Sequence, residues 1–296
     1  MHQIQWQDRF NIGVDAIDEA HRKLFSIVQK IMELYVEQHK NKFACVEGIK
    51  YFKSYALKHF TEEEAYMREI GYSGYLAHKR AHDRMRRETL PALERELYST
   101  NFSAEAVQQF IGVCTGWLTG HIMIEDRAIT GKIASELTLP APDDELSLIR
   151  AVILCPLQEI LGIPIQYLGH FSAQDTISDA QYYELTYLDQ WGSKLQFILI
   201  IGEQPLIQAA GLMFGIELNA INEITRFAIQ EIAQSLIHRA AACFGEEPNA
   251  YRLVEDHFLK AAECSQEFRE HPPQYSLLFS AEQTCFVLCI NQVPAA

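Results

Sequence analysis

The chain lacks most of what would carry it out of a cell or into a membrane. No stretch approaches the ~20 apolar residues that a bilayer-spanning helix needs, and the longest apolar-rich run, Leu195 to Ile201, stops far short. Met1-His2-Gln3 leads into polar residues around Trp6, with no apolar segment of the signal-peptide kind. The seven cysteines, at 45, 114, 155, 243, 264, 285 and 289, include no Cys-x-x-Cys pair, which removes the usual zinc and thioredoxin-like signatures. Cys285 and Cys289 would share one face of a strand, which admits a redox role. An odd number of scattered thiols fits buried free cysteines in a reducing compartment better. A cytoplasmic protein with no membrane partner is expected.

Positive charge is scarce in the second half. Residues 1–132 hold 18 Lys+Arg against 18 Asp+Glu and the remainder 7 against 21, so the whole net charge of −14 lies beyond residue 132. Such a surface repels a phosphate backbone, and nucleic acid is not expected as a partner. This asymmetry, in a chain of 296 residues, argues for two modules. Internal repeats and low-complexity tracts are absent. Residues 133–146, with two prolines and four acids, read as the linker.

Before that linker the apolar pattern has a helical period. Leu24, Ile27, Val28, Ile31 and Leu34 step by three and four along a helix from about Asp18 to Gln38. A second helix runs from about Phe43 to Ile70 and stops at Gly71, and a third from Tyr75 to about Tyr98, with a kink or break expected at Pro91. The fourth starts at a Ser103 cap and ends at Gly131. Long helices joined by short connections predict an all-α, up-down-up-down four-helix bundle over 1–132.

Each of these helices carries metal-binding side chains. They are His21 on the first, His59 and Glu63 on the second, His78 and His82 on the third, and His121 and Asp126 on the fourth. The pairs four apart share a helical face. Five imidazoles and two carboxylates converging in a bundle suit a binuclear transition-metal site. Imidazoles serve as terminal ligands, while a carboxylate has two oxygens and bridges. Three histidines on one ion and two on the other, with Glu63 and Asp126 shared, leave one position open for a small ligand. Asp126 fits least well, because a five-residue step turns about 140° around an ideal helix. His2 and His39 fit no such pattern.

The pattern Trp6, Gly13-Val14, Ile17-Asp18, His21, Leu24, then His59-Phe60-x-x-Glu63-Glu64-x-x-Met67, His78-x-x-x-His82 and His121-Ile122-x-x-Glu125-Asp126 resembles a bacterial hemerythrin over residues 1 to about 132. That resemblance implies a non-haem di-iron centre, two iron ions with an Fe–O–Fe bridge, held by His21, His59, Glu63, His78, His82, His121 and Asp126. It also implies O2 as the ligand, bound at the less saturated iron on the His21 and His59 side. Leu24, Phe25, Trp117 and Ile122 are candidate walls of an apolar O2 pocket, and each serves equally as bundle core.

From residue 147 the periodicity changes. A helix over Leu148–Leu161 is expected, then a hairpin of Tyr182–Leu188 and Leu195–Ile201 around Asp189-Gln190-Trp191-Gly192-Ser193. Helices Pro205–Phe214 and Ile221–Phe244 follow, ended by Gly215 and Gly245, and strands Tyr275–Phe279 and Thr284–Asn291 close an α+β domain over 147–296. Glu231-Ile232-Ala233-Gln234 on the long helix, with the hairpin before it, resembles the CheX/CheC family of chemotaxis phosphatases. That family uses Glu-x-x-Asn on an exposed helix face to orient water toward the aspartyl phosphate of a response regulator. Gln234 stands where Asn is expected, so hydrolysis by Glu231 and Gln234 is open, and binding without hydrolysis or self-association into a homodimer stands beside it. The combined reading is an O2 or redox sensor acting on a response regulator. O2 storage with a dimerising tail, or di-iron turnover of peroxide or nitric oxide, is the alternative.

Overall fold

The computed structural model describes residues 6–37, 42–132, 145–162, 164–171, 177, 179–241, 244, 251–281 and 284–293. The expected linker, apart from its last two residues, lies outside the described residues, as do His2, His39 and the Gly245 stop. The helices are α1 (Asp15–Glu37), α2 (Lys42–Glu69), α3 (Tyr75–Arg84), α4 (Leu90–Ser99), α5 (Ala104–His121) and α6 (Arg127–Ile129). They continue with α7 (Glu145–Leu161), α8 (Glu203–Phe214), α9 (Glu223–Ala241) and α10 (Ala261–Glu270). The strands are β1 (Ile165–His170), β2 (Ala180–Leu188), β3 (Lys194–Gly202), β4 (Arg252–Leu259), β5 (Tyr275–Ala281) and β6 (Thr284–Val293). By internal packing the chain divides into two compact units. One is Met1–Leu139 with Ala210–Ile232, the other Pro140–Ala209 with Ala233–Ala296.

The first unit contains the bundle. Its core is built from apolar residues at helical spacing: Leu24, Phe25, Val28 and Ile31 on α1, Phe52, Ala56, Phe60 and Met67 on α2, and Phe110, Ile111, Cys114 and Leu118 on α5, all buried. Gly71 and Gly131, with φ of 66° and 70°, terminate helices as expected. The Ser103 hydroxyl accepts from the Ala106 N–H at 3.2 Å and caps α5. The buried Asp18 carboxylate accepts from the N–H groups of Ile12 (2.7 Å) and Gly13 (3.0 Å), pinning the segment before α1 to that helix.

Two π-helical segments interrupt the bundle. Met85–Thr89 joins α3 to α4, with the Leu90 N–H reaching back five residues to the Met85 carbonyl. Pro91 follows at the second position of α4, where it has no N–H to carry the hydrogen-bond ladder back into the preceding turn. The break expected at Pro91 therefore takes the form of a widened turn just before it. The second segment, Ile122–Asp126, joins α5 to α6, and the Arg127 N–H bonds the Ile122 carbonyl.

Within the same unit the first half of α9 lies directly on α5. A Cβ added at Gly112 would come within 2.5 Å of the Ile224 carbonyl oxygen, and one at Gly116 within 2.8 Å of the Ala228 Cα. At Gly120 the nearest atom is the side-chain Cγ1 of Ile232, 3.3 Å away. Gly112 and Gly116, four residues apart, thus let two backbones touch, and Gly120 continues the interval against a side chain. Asn222 caps α9 by accepting from the Thr225 N–H at 2.9 Å.

The second unit is a six-stranded sheet in the order β1-β5-β6-β3-β2-β4, antiparallel at every pairing. The expected hairpin is β2–β3: Asp189 Oδ1 accepts from the N–H groups of Trp191 (2.9 Å) and Ser193 (2.8 Å), and Gly192 supplies a φ of 90°. One sheet face buries Ile198, Ile200, Val287 and Cys289 with Cys264 of α10. The expected division into an all-α bundle followed by an α+β region is what the chain adopts. Two strands, β1 and β4, were not anticipated, nor was α10. Both strands are sheet edges in which half the residues are exposed and almost none is fully buried.

Candidate metal centre

The helical positions chosen by their residue types converge inside the bundle. Four-residue steps align His59 with Glu63 on α2 and His78 with His82 on α3; His21 reaches in from α1 and His121 ends α5. All seven predicted side chains are buried, none more than 6% exposed. Asp126 joins them because it closes the π segment, where the i→i+5 ladder returns a residue five steps from His121 to nearly the same face. Its Oδ1 lies 3.0 Å from His121 Nε2.

The donors form two overlapping sets. Glu63, His78, His82 and His121 make one, and His21, His59 and Glu63 the other. Glu63 Oε2 stands 3.2 Å from His82 Nε2 and 3.4 Å from His78 Nε2, while its Oε1 faces His21 at 4.0 Å. Asp126 divides its oxygens likewise, Oδ2 at 3.1 Å from His21 Nε2 and Oδ1 at 3.3 Å from His78 Nε2. Three pairs of ring nitrogens, His21–His59, His82–His121 and His121–His78, meet at 3.0 Å.

Those facing nitrogens fit shared cations. Two donors each about 2.1 Å from one ion and at right angles lie about 3.0 Å apart, whereas a tetrahedral pair would be nearer 3.4 Å. None of the four oxygens of Glu63 and Asp126 has a partner with hydrogen-bonding geometry, although all are buried. A pair of buried, unsatisfied carboxylates is costly unless positive charge neutralises it. The residues present therefore suit a pair of octahedral cations.

Electrostatics point the same way. Burial pushes the His59 imidazole down to about 3, leaving it neutral and available as a donor. Burial would raise the carboxyl groups of Glu63 and Asp126, but the surrounding histidines outweigh it and hold both below the ordinary carboxylate range. Burial would lower His78, yet the close approach and negative charge of the Asp126 and Glu63 carboxylates hold it up to about 10. In the metal-free protein that ring keeps its proton at neutral pH, and a cation taking its Nε2 must displace it. Ferrous loading of the metal-free protein is therefore expected to release protons, counted at constant pH by titration, and to weaken as the pH falls.

Around the ligands, aromatic rings take up the remaining faces. Phe60 stacks on His82 at 4.3 Å and Trp117 on His121 at 4.2 Å, near-parallel in both cases. Of the expected pocket walls, Trp117 thus touches a ligand ring, Phe25 packs with Trp6 and Phe10, and Leu24 and Ile122 are fully buried. Residue types alone assign no role to Phe60, Glu64 or Arg86, although Phe60 stands inside the His59–Glu63 motif and Glu64 directly follows it.

The second predicted pair is placed differently from an exposed water-orienting face. Gln234 Nε2 donates to the Tyr183 hydroxyl at 3.1 Å and to Asp256 Oδ2 at 3.2 Å. The Tyr183 hydroxyl itself donates to Asp256 Oδ2 at 2.5 Å, and burial, with that carboxylate beside it, pushes the phenol up. Glu231 is half-buried and close enough to the fully buried Cys114 on α5 to add to the burial that pushes this thiol well up.

Among known families, the Hemerythrin HHE cation binding domain matches residues 12–133. A bacteriohemerythrin of Clostridium acetobutylicum is 34% identical over 128 residues, 41% of this chain and 95% of that protein. One from Stenotrophomonas maltophilia is 32% identical over 135 residues, covering 45% of this chain and 82% of the other. A myohemerythrin of Theromyzon tessulatum is 26% identical over 129 residues, 44% of this chain and 92% of its own. Among solved structures, the chemotaxis protein CheX of Vibrio vulnificus aligns with 49% of this chain and 95% of its own at a TM-score of 0.38 and 12% identity. A CheC-like superfamily protein of Shewanella sp. PV-4 aligns with 52% of this chain and 100% of its own at a TM-score of 0.42 and 11% identity.

Proposed function

We propose, for a chain that belongs to the hemerythrin family through residues 12–133, that the bundle holds two irons and binds O2 reversibly, and that the rest of the protein reports this state to a response regulator. The observation behind the first part is the unequal division of donors: His78, His82 and His121 on one side of Glu63, only His21 and His59 on the other. The side with fewer donors has room for a small exogenous ligand. When bound, the iron pair supplies the electrons on which O2 binding draws. The chain's own contribution is to keep His59 neutral as a donor, hold Glu63 and Asp126 between the two sets, and exclude water with Phe60, Trp117 and the buried apolar residues.

Among the described residues no helix is long and apolar enough to cross a membrane. The output is proposed as binding of a phosphorylated regulator, not its hydrolysis. Glu231-x-x-Gln234 motivates the partner. The Gln234 amide already engaged by Tyr183 and Asp256 argues against a free water-orienting group.

The test is an anaerobic-to-aerobic optical titration of the ferrous protein with parallel iron analysis. Two irons per chain and a visible charge-transfer band that disappears on deoxygenation support reversible binding. Immediate conversion to a stable diferric form sinks the reversible reading in favour of redox turnover. For the output, the phosphate lifetime of a cognate regulator is expected to be unchanged while its binding differs between the O2-bound and O2-free protein; accelerated hydrolysis would restore the phosphatase role.

A further inference from the structure

Glu64 follows the candidate ligand Glu63 but points to the other side of the ligand ring. It is 6% exposed, and its Oε1 lies 3.2 Å from Nδ1 of His82, the nitrogen turned away from the cluster. The same oxygen accepts from Arg86 at 2.8 Å, and Arg86 also donates to Asp83 Oδ1 at 2.7 Å. The Arg86 guanidinium sits 5.7 Å over the Phe60 ring, which also stacks on His82. His82 is thus held on a face by Phe60, at Nδ1 by Glu64, and at Nε2 by its approach to Glu63 and His121. By contrast, the buried Nδ1 atoms of His21 and His78 have no hydrogen-bond partner.

We propose that Glu64 is a positioning residue for the metal centre, accepting the His82 Nδ1 proton so that Nε2 is the donor and biasing the three-histidine iron toward its ferric state. This rests on the di-iron reading above. A carboxylate behind a ligand imidazole fixes the tautomer and makes the ring a stronger donor. The added electron density favours the more highly charged ion, so the effect is larger for ferric than for ferrous iron. Arg86 keeps Glu64 from swinging out to solvent and restrains how far it draws the proton. Because Glu64 stands behind His82, a donor of the three-histidine set, the bias falls on that ion.

The test uses the full chain loaded with ferrous iron, comparing wild type with Glu64→Gln, which keeps the shape and removes the charge. Glu64→Gln is expected to keep two irons per chain and to lose them to a chelator roughly 10- to 100-fold faster. If the ferric form loses tenfold more affinity than the ferrous, the midpoint potential of one iron rises by about 59 mV in spectroelectrochemistry. Glu64→Asp, charged but too short to reach, should fall between the two. A Glu64→Gln protein with unchanged potential and iron retention overturns the proposal. Should that variant not fold, a Glu64→Asp potential equal to wild type overturns it equally. A wild type that binds no iron pair refutes the di-iron reading itself, and is told apart by the iron count alone.

Discussion

Replacing Glu63 by alanine is expected to leave a folded bundle that holds less than one iron per chain. Glu63 belongs to both donor sets, so its loss removes a ligand from each ion and the charge that most directly offsets their mutual repulsion. Truncation costs the metal site far more than the fold. In the metal-free protein both carboxylate oxygens are buried without a hydrogen-bonding partner, so the side chain contributes little to holding helices together. Iron analysis with far-ultraviolet circular dichroism separates the two effects: iron lost, helical signal kept. Full iron retention would mean that Asp126 alone bridges. The natural control is Glu62→Ala, one residue away on the solvent side of α2, which is expected to keep its metal.

A second large effect is expected at Gly116. A leucine there would drive its side chain into the backbone of α9 at Ala228, and a backbone has no rotamer with which to yield. Overpacking of this kind costs typically 1–3 kcal/mol against side chains. Against main chain, about 3 kcal/mol or more is expected, a fall in melting temperature of roughly 10 °C for a unit of this size. Gly120→Ala is the contrast. Its new methyl meets the side chain of Ile232 at 3.3 Å, not main chain, so that a shift of a few tenths of an ångström relieves it; alanine gains about 1 kcal/mol of helix propensity over glycine, so its melting temperature should stay close to wild type. Equal losses at both positions would mean that α5 and α9 do not pack as closely as the glycines permit.

How much of this was legible beforehand follows from what each feature depends on. The convergence of His59 with Glu63 and of His78 with His82 could be read because four-residue steps on amphipathic helices are local and strongly patterned. Asp126 resisted, since no residue type announces an i→i+5 turn; the segment Ile122–Asp126 looks like ordinary apolar helix. The interior strands β3 and β6 were visible through their apolar content. The edge strands β1 and β4 were not, because half-exposed strands need no such pattern. Gln234 was recognised by its motif, but its partners Tyr183 and Asp256 come from strands 51 and 22 residues away, and no local pattern foretells them. The Gly112-Gly116-Gly120 interval was in plain sight, yet only the position of α9 gives it meaning.

The widened turn before Asp126 also sets how the chain tolerates gain or loss of length there. Deleting one residue between His121 and Asp126 leaves a four-residue step, which an ordinary α turn serves, and the carboxylate would still face its histidine. Inserting one makes six steps, about 240° around an α-helix, and a single widened turn does not recover that rotation. Indels in this segment are therefore unequal. Shortening exchanges one helix type for another and keeps the bridge, whereas lengthening carries the carboxylate out of the site, whatever the identity of the residues between.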